Sequence, residues 1–261
     1  MLVLISPAKN LAEGKVNVIG TTAPALLDHA IPVAQKMRSL SAKRIGKLMD
    51  LNPKLAQLNF DRYQRWDPDH SKGIPAAFMF NGEVYRGLKA PTLSADDLRF
   101  AQHHLRILSG LYGLLRPLDR VQPYRLEMGV KLSMGRGKKD LYAWWKEHVT
   151  REVAAALKKS GSNTIINLAS DEYAKVIDFE ALGAEVISPM FLDRKGNAYK
   201  PITVYFKQQR GAMARHIIQH RILDARELIG YAEDGYRFSE EESSATDWIY
   251  LRNKPPAIKN G

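Results

Sequence analysis

The chain has 261 residues, 45% hydrophobic and 26% charged, with no cysteine. That size allows one large or two small domains with a packed core, while the missing cysteines exclude a disulfide scaffold, a thiolate nucleophile and Cys-ligated iron–sulfur or zinc sites. Lys and Arg total 39 against 28 Asp and Glu, a formal net charge of +11 that points to a polyanionic partner.

In chain order, the apolar run Leu2 to Ile5 ends at Ser6-Pro7, the pattern of a buried strand entering a loop. No basic leader precedes that run, and no stretch of about eighteen apolar residues follows anywhere. A cytoplasmic protein with no membrane partner is therefore expected. Ala25 to Asp50 reads as helix bent or split at Pro32, and Asn52-Pro53 caps a further helix running through Leu55, Leu58 and Phe60. Ala76 to Phe80 reads as strand. Ser94 with Asp96 and Asp97 opens a helix whose apolar pattern runs through Leu98, Ala101, Leu105 and Leu108.

Asp140 to Lys159 is an amphipathic helix stopped by Ser160-Gly161. Strands are expected at Thr164 to Leu168, Glu185 to Ile187, the alternating Ile202 to Phe206, and Trp248 to Leu251. A last long helix covers Gln209 to Ile229, and Lys254-Pro255-Pro256 begins a tail expected to fray. Strands and helices interleave throughout without repeat or linker. The fold class is therefore α/β (mixed α+β), one compact domain over residues 1–254 with a mixed sheet and surrounding helices, followed by the 255–261 tail.

Several motifs fail on their own terms. Gly135-Arg136-Gly137-Lys138 lacks the third glycine of a dinucleotide fingerprint, and Ile217 stands where the metalloprotease pattern over His216 and His220 requires Glu. Ser6-Pro7-Ala8-Lys9 matches Ser-x-x-Lys, but the companion elements of serine acyltransferases are missing. The alternative for Lys9 is a ligand phosphate, because open α/β sheets bind ligands at strand ends. No histidine pair has convincing ligand spacing, so no metal and no cofactor are expected.

Leu105 to Asp119 is the most informative stretch. Gly110 and Gly113 separate two apolar patterns in the manner of a helix-hairpin-helix, whose glycines let backbone N–H groups approach a phosphate. The alternative is a packing corner, since the usual hairpin has Gly-x-Gly rather than two intervening residues. Around it, Arg86 to Lys139 holds eleven basic and four acidic residues. A second basic block follows Asp193, where Arg210 and Arg221, and Arg215 and Arg226, are each eleven residues apart and would form two arginine rows on one helix. Glu227 to Asp247 is acidic, so the charge is segregated.

Across essentially its whole length the chain resembles the YaaA-type peroxide-stress family. The marks are Ser6-Pro7-Ala8-Lys9, Phe80 to Leu88 (FNGEVYRGL), Ser109 to Asp119, Pro123 to Gly129 (PYRLEMG) and Asn167 to Tyr173 (NLASDEY). The resemblance implies a cytoplasmic protein of the hydrogen peroxide response that limits DNA damage and free iron. It also implies a mixed α/β fold with a positively charged cleft and a helix-hairpin-helix element, and binding to duplex and branched DNA.

Two functions are compatible with these residues. In the first, backbone amides at Gly110 and Gly113 hold DNA phosphate while Lys9, Arg86, Arg116, Arg125 and Lys207 line a basic cleft of low sequence specificity. In the second, an enzyme acts on a nucleotide, nucleobase or damaged DNA. Ser6, Lys9, Asn81, Glu83, Arg86, Ser109, Tyr112, Arg116, Asp119, Tyr124, Arg125, Ser170, Asp171, Glu172 and Tyr173 would then be its polar pocket, with Tyr112 or Tyr124 stacking on an extruded base. Against catalysis stands the plainer role of carboxylates that fix arginines in buried pairs. A closed pocket holding carboxylates favours the second function, and an open basic groove the first.

Overall fold

A computed structural model describes every residue except 13, 15, 17, 136 and 255–261. The expected tail and Arg136 of the glycine-rich loop lie outside the described residues. Strand β1 (Leu2–Ile5) has all four side chains buried, as expected of a strand covered on both faces. Helices α1 (Leu27–Arg38), α2 (Ala42–Met49) and α3 (Pro53–Arg65) follow. Next come β2 (Ile74–Pro75), α4 (Ala76–Met79), α5 (Glu83–Leu88) and α6 (Ala95–His104). The middle of the chain forms β3 (Leu105–Ser109), β4 (Gly113–Leu115), β5 (Arg120–Val121), α7 (Leu141–Ser160) and β6 (Thr164–Leu168). The last third forms α8 (Asp171–Ala174), α9 (Phe179–Leu182), β7 (Glu185–Lys195), β8 (Ala198–Lys200), α10 (Thr203–His220), β9 (Arg237–Phe238) and β10 (Asp247–Arg252).

The main sheet is mixed, ordered β4-β3-β1-β6-β7-β10-β9, with β8 added to β7. From β4 to β9 only the two ends are antiparallel; β3, β1, β6, β7 and β10 are all parallel. Helix α7 packs on β1 and β4, and α10 on β1, β6 and β7. One contiguous core, from Met1 through Trp145 to Tyr250, joins them. The mixed α/β class is as read from the sequence.

Several local expectations are corrected. Leu105 to Ser109 is strand and not helix: its five residues are all buried, and Ile107 to Ser109 pair antiparallel with Gly113 to Leu115. The segment is a β-hairpin, so the helix-hairpin-helix is not formed here. A five-residue run buried on both faces suits a strand covered on both sides, whereas the helix preceding it stops at His104. Ala76 to Met79 is a helical turn, closed by the Phe80 N–H donating to the Ala76 carbonyl, while the first-turn N–H groups of Ala76 and Ala77 donate to the Asp119 and Pro117 carbonyls. Short apolar runs of this kind carry no period that separates strand from buried helix.

Ile202 to Phe206 opens α10 instead of forming a strand. The helix ends at His220, with Arg221 in a left-handed cap and Arg226 beyond it, so the two arginine rows do not exist. Pro32 stays inside α1; the break falls at Ser39 to Ser41, where the Ser41 side chain caps α2.

Candidate functional site

Strand β1 pairs with β3 on one side and β6 on the other, so the chain reverses its direction of travel across the sheet at β1. The crevice beyond the carboxyl ends of strands at such a switch point is where open α/β sheets take ligands. The residues following β1 and β6 meet there. Ser170 N–H donates to Ser6 Oγ at 2.9 Å, and Tyr85 OH donates to the Ser6 carbonyl at 3.0 Å. Around them opens a cleft of about 610 Å³, walled by the loop after β1, the start of α5, the Tyr124–Glu127 loop, the β6–α8 turn and α10.

Its charges fall into pairs and exceptions. Glu83 accepts from Arg86 at 2.7 Å and from Gln208 of α10 at 2.6 Å. Glu127 Oε1 accepts from Lys9 Nζ and from Arg125 Nη2, each at 3.1 Å, while its buried Oε2 has no hydrogen-bond partner among the described residues. Glu172 Oε1 accepts the Gly129 N–H at 3.1 Å, which clasps the loop carrying Glu127 against the β6–α8 turn. The Asp171 carboxylate accepts no hydrogen bond from any described residue, and Lys207 and Arg210 of α10 have no carboxylate within ion-pair distance among the described residues. Arg210 lies over the Phe206 ring at 5.1 Å; burial holds its guanidinium below the usual arginine range, offset in part by Asp171.

Of the residues expected to line a basic cleft, Lys9, Arg125 and Lys207 do so. Arg86 is held by Glu83 on the exposed surface of α5, beside the cleft and outside its lining. Arg116 is elsewhere, donating to Asp119 at 2.9 Å and to the Ala23 carbonyl at 2.9 Å, at a separate cavity between α6 and α7.

Gly110 and Gly113 are buried, and their roles are those of packing. A Cβ on Gly110 would stand 2.3 Å from the Leu126 carbonyl oxygen, and one on Gly113, at φ +70°, would stand 2.6 Å from the Trp145 ring. The amides of this turn are used internally: Tyr112 N–H donates to Ser109 Oγ, and Leu114 N–H to the Tyr112 carbonyl.

From the polar set, Ser6, Asn81, Glu83, Tyr124, Ser170, Asp171, Glu172 and Tyr173 converge on the cleft, whereas Ser109 and Tyr112 lie behind it. Ser109 Oγ and Tyr124 OH are 2.6 Å apart, and burial pushes the Tyr124 phenol up, leaving it neutral. Tyr112 is buried, accepts from Trp66 Nε1 at 2.9 Å, and is pushed up to about 12 by burial. It is a core residue and no stacking platform. Sequence reasoning left Glu127, Tyr85 and Arg210 out of the site. The first two stood inside quoted motifs, and the signal for Arg210 was its i,i+3 spacing from Lys207 on one helix.

Among the described residues no three His, Asp or Glu side chains converge on a metal-sized site, and no helix is long and apolar enough to cross a membrane.

A family model described as peroxide stress protein YaaA matches residues 1–242. A UPF0246 protein of Cupriavidus metallidurans is 46% identical over 258 residues, spanning 97% of this chain and 98% of its own. A UPF0246 protein of Ralstonia nicotianae is 47% identical over 257 residues, spanning 97% and 99%.

Proposed function

This chain belongs to the peroxide stress protein YaaA family, and we propose that it serves the peroxide response by binding the DNA backbone at the cleft, with low sequence specificity. The observation that carries this is the state of Lys207 and Arg210. They sit three residues apart on α10 with no carboxylate within ion-pair distance among the described residues, while the neighbouring Lys9 and Arg125 share the single charge of Glu127. A guanidinium that is partly desolvated and unpaired gains from a phosphate what it lacks from the protein. Contacts of this kind give affinity without reading bases.

The test is fluorescence anisotropy with duplex and branched DNA across a salt series. Log K falls with log salt by roughly 0.9 per phosphate neutralised on duplex, and Lys207→Ala with Arg210→Ala makes that slope shallower by about 2. An unchanged slope overturns the reading.

A second reading is a free nucleotide held in the same cleft and acted on there. Its support is the size of the cleft, whose volume of about 610 Å³ falls within the range of small-molecule pockets, and the Asp171 carboxylate, which accepts no hydrogen bond from a described residue. A nucleoside monophosphate that binds saturably and displaces DNA favours this second reading. One that does neither favours DNA alone.

A further inference from the structure

The cavity that holds Arg116 shares no lining residue with the cleft. It has a volume of about 200 Å³, room for roughly six waters. It lies among α6, the β3–β4 hairpin and the C-terminal half of α7. On its wall is Arg106 of β3, 8% exposed, a charged side chain in the middle of an otherwise apolar strand.

Burying that guanidinium is costly unless its donors and its charge are met. One nitrogen is satisfied: Nη1 donates to the carbonyls of Leu105, Gln102 and His103 at 2.8, 3.2 and 3.3 Å. Nε and Nη2 have no hydrogen-bond partner among the described residues, and no described carboxylate forms an ion pair with Arg106.

The nearest acid is already spent. Asp119, fully buried, accepts from Thr22 Oγ1 at 2.6 Å, from the Arg116 backbone N–H at 2.8 Å, and from Arg116 Nε and Nη2. Its single negative charge is taken by Arg116; Glu152 on the same wall offsets Arg106 without an ion pair, and Lys159 tips the wall to a net positive charge. Burial, and then the proximity of Arg116, draw the Arg106 guanidinium down to about 10, with Asp119 and Glu152 only partly offsetting them. Lys159, exposed on the last turn of α7, adds a third cation on the rim without an ion pair among the described residues.

We infer that this cavity is a binding site for a small tetrahedral oxyanion of the phosphate class, held by Arg106 Nε and Nη2 with Lys159 and Arg116 at its edge. The two nitrogens present the parallel donors that a phosphate accepts bidentately. Glu152 on the same wall accepts a hydrogen bond from the hydroxyl of a monohydrogen oxyanion, which disfavours a fully ionised one. The phosphate is either free in solution or the terminal group of a nucleic acid strand, and the chemistry of the site is the same for both.

The test uses the full chain and inorganic phosphate at constant ionic strength, titrated by calorimetry and followed by thermal shift. Saturable binding is expected, with chloride unable to replace it. Arg106→Gln weakens it at least tenfold, and Lys159→Ala, a surface change that leaves the core untouched, weakens it several-fold. The titration is repeated in the Lys207→Ala, Arg210→Ala background, which removes the two unpaired cleft cations; the phosphate binding that Arg106→Gln and Lys159→Ala weaken persists there, which separates it from the DNA reading. A 5′-phosphorylated oligonucleotide and its unphosphorylated counterpart identify the source: competition by the first alone assigns a strand terminus, and competition by neither assigns the free ion. Absence of saturable phosphate binding, or equal affinity in wild type, Arg106→Gln and Lys159→Ala, overturns the proposal.

Discussion

At the scale of single residues, the cleft is governed by which charges are already spent. Glu127 is the pivot, since one of its oxygens is shared by Lys9 and Arg125 while the other is buried without a partner among the described residues. Glu127→Gln keeps an acceptor facing both cations but removes the one negative charge that they share. Lys9, with 64% of its side chain exposed, then becomes available to a phosphate. The expected result is tighter DNA binding, with a salt slope steeper by up to roughly 0.9 per cation released. A slope that is unchanged or shallower, measured by anisotropy over the same salt series, would show that Glu127 holds these side chains in place for another purpose. The motif PYRLEMG supplied this loop in the sequence, but not its pairing. Arg125 and Glu127 are two residues apart, and their partner Lys9 comes from the loop after β1, far away in sequence. Such a triad becomes visible only when the fold closes.

At the scale of elements, the cleft depends on how closely α10 lies against α5. Gly87 and Gly211 face each other's backbones there: a Cβ on Gly211 would be 1.7 Å from the Val84 carbonyl oxygen, and one on Gly87 would be 2.0 Å from that of Gln208. Neither atom can swing away as a side chain does, so Gly211→Ala must separate the helices. The expected cost is about 1–3 kcal/mol or more, as for other overpacked sites, with Tm falling by roughly 2–4 °C per kcal/mol. DNA affinity falls with it, because Gln208 loses its 2.6 Å hydrogen bond to Glu83 and carries Lys207 away from the cleft wall. Gly230→Ala, at an exposed position where a Cβ meets nothing, is the control and leaves Tm near wild type. An equal Tm for both variants would remove this account of the crossing. The same crossing explains why Ile202 to Phe206 misleads when read alone. Alternation in a five-residue window favours strand, but the window opens a helix held by its packing on α5, a contact that Gly211 and, on the other element, Gly87 make possible. Likewise, Gly110 and Gly113 were legible as obligatory glycines, whereas the reason lay in Leu126 and Trp145, distant in sequence.

At the scale of the whole molecule, the net charge of +11 and the few unpaired cations of the cleft play different parts in meeting DNA. The long-range field of a basic protein raises the rate of encounter, while local contacts set how long the complex lasts. Removing Lys207 and Arg210 changes the formal charge only from +11 to +9, so the field that steers DNA toward the protein is largely preserved. The two contacts closest to the bound phosphates are nevertheless gone. The expected outcome in stopped-flow or surface-based kinetics is therefore an association rate within about twofold of wild type and a dissociation rate raised at least tenfold. Raising ionic strength should slow association of both proteins by the same factor, because it screens the field they share. An association rate that falls as far as the affinity would mean that binding follows from bulk charge, with no defined site at α10.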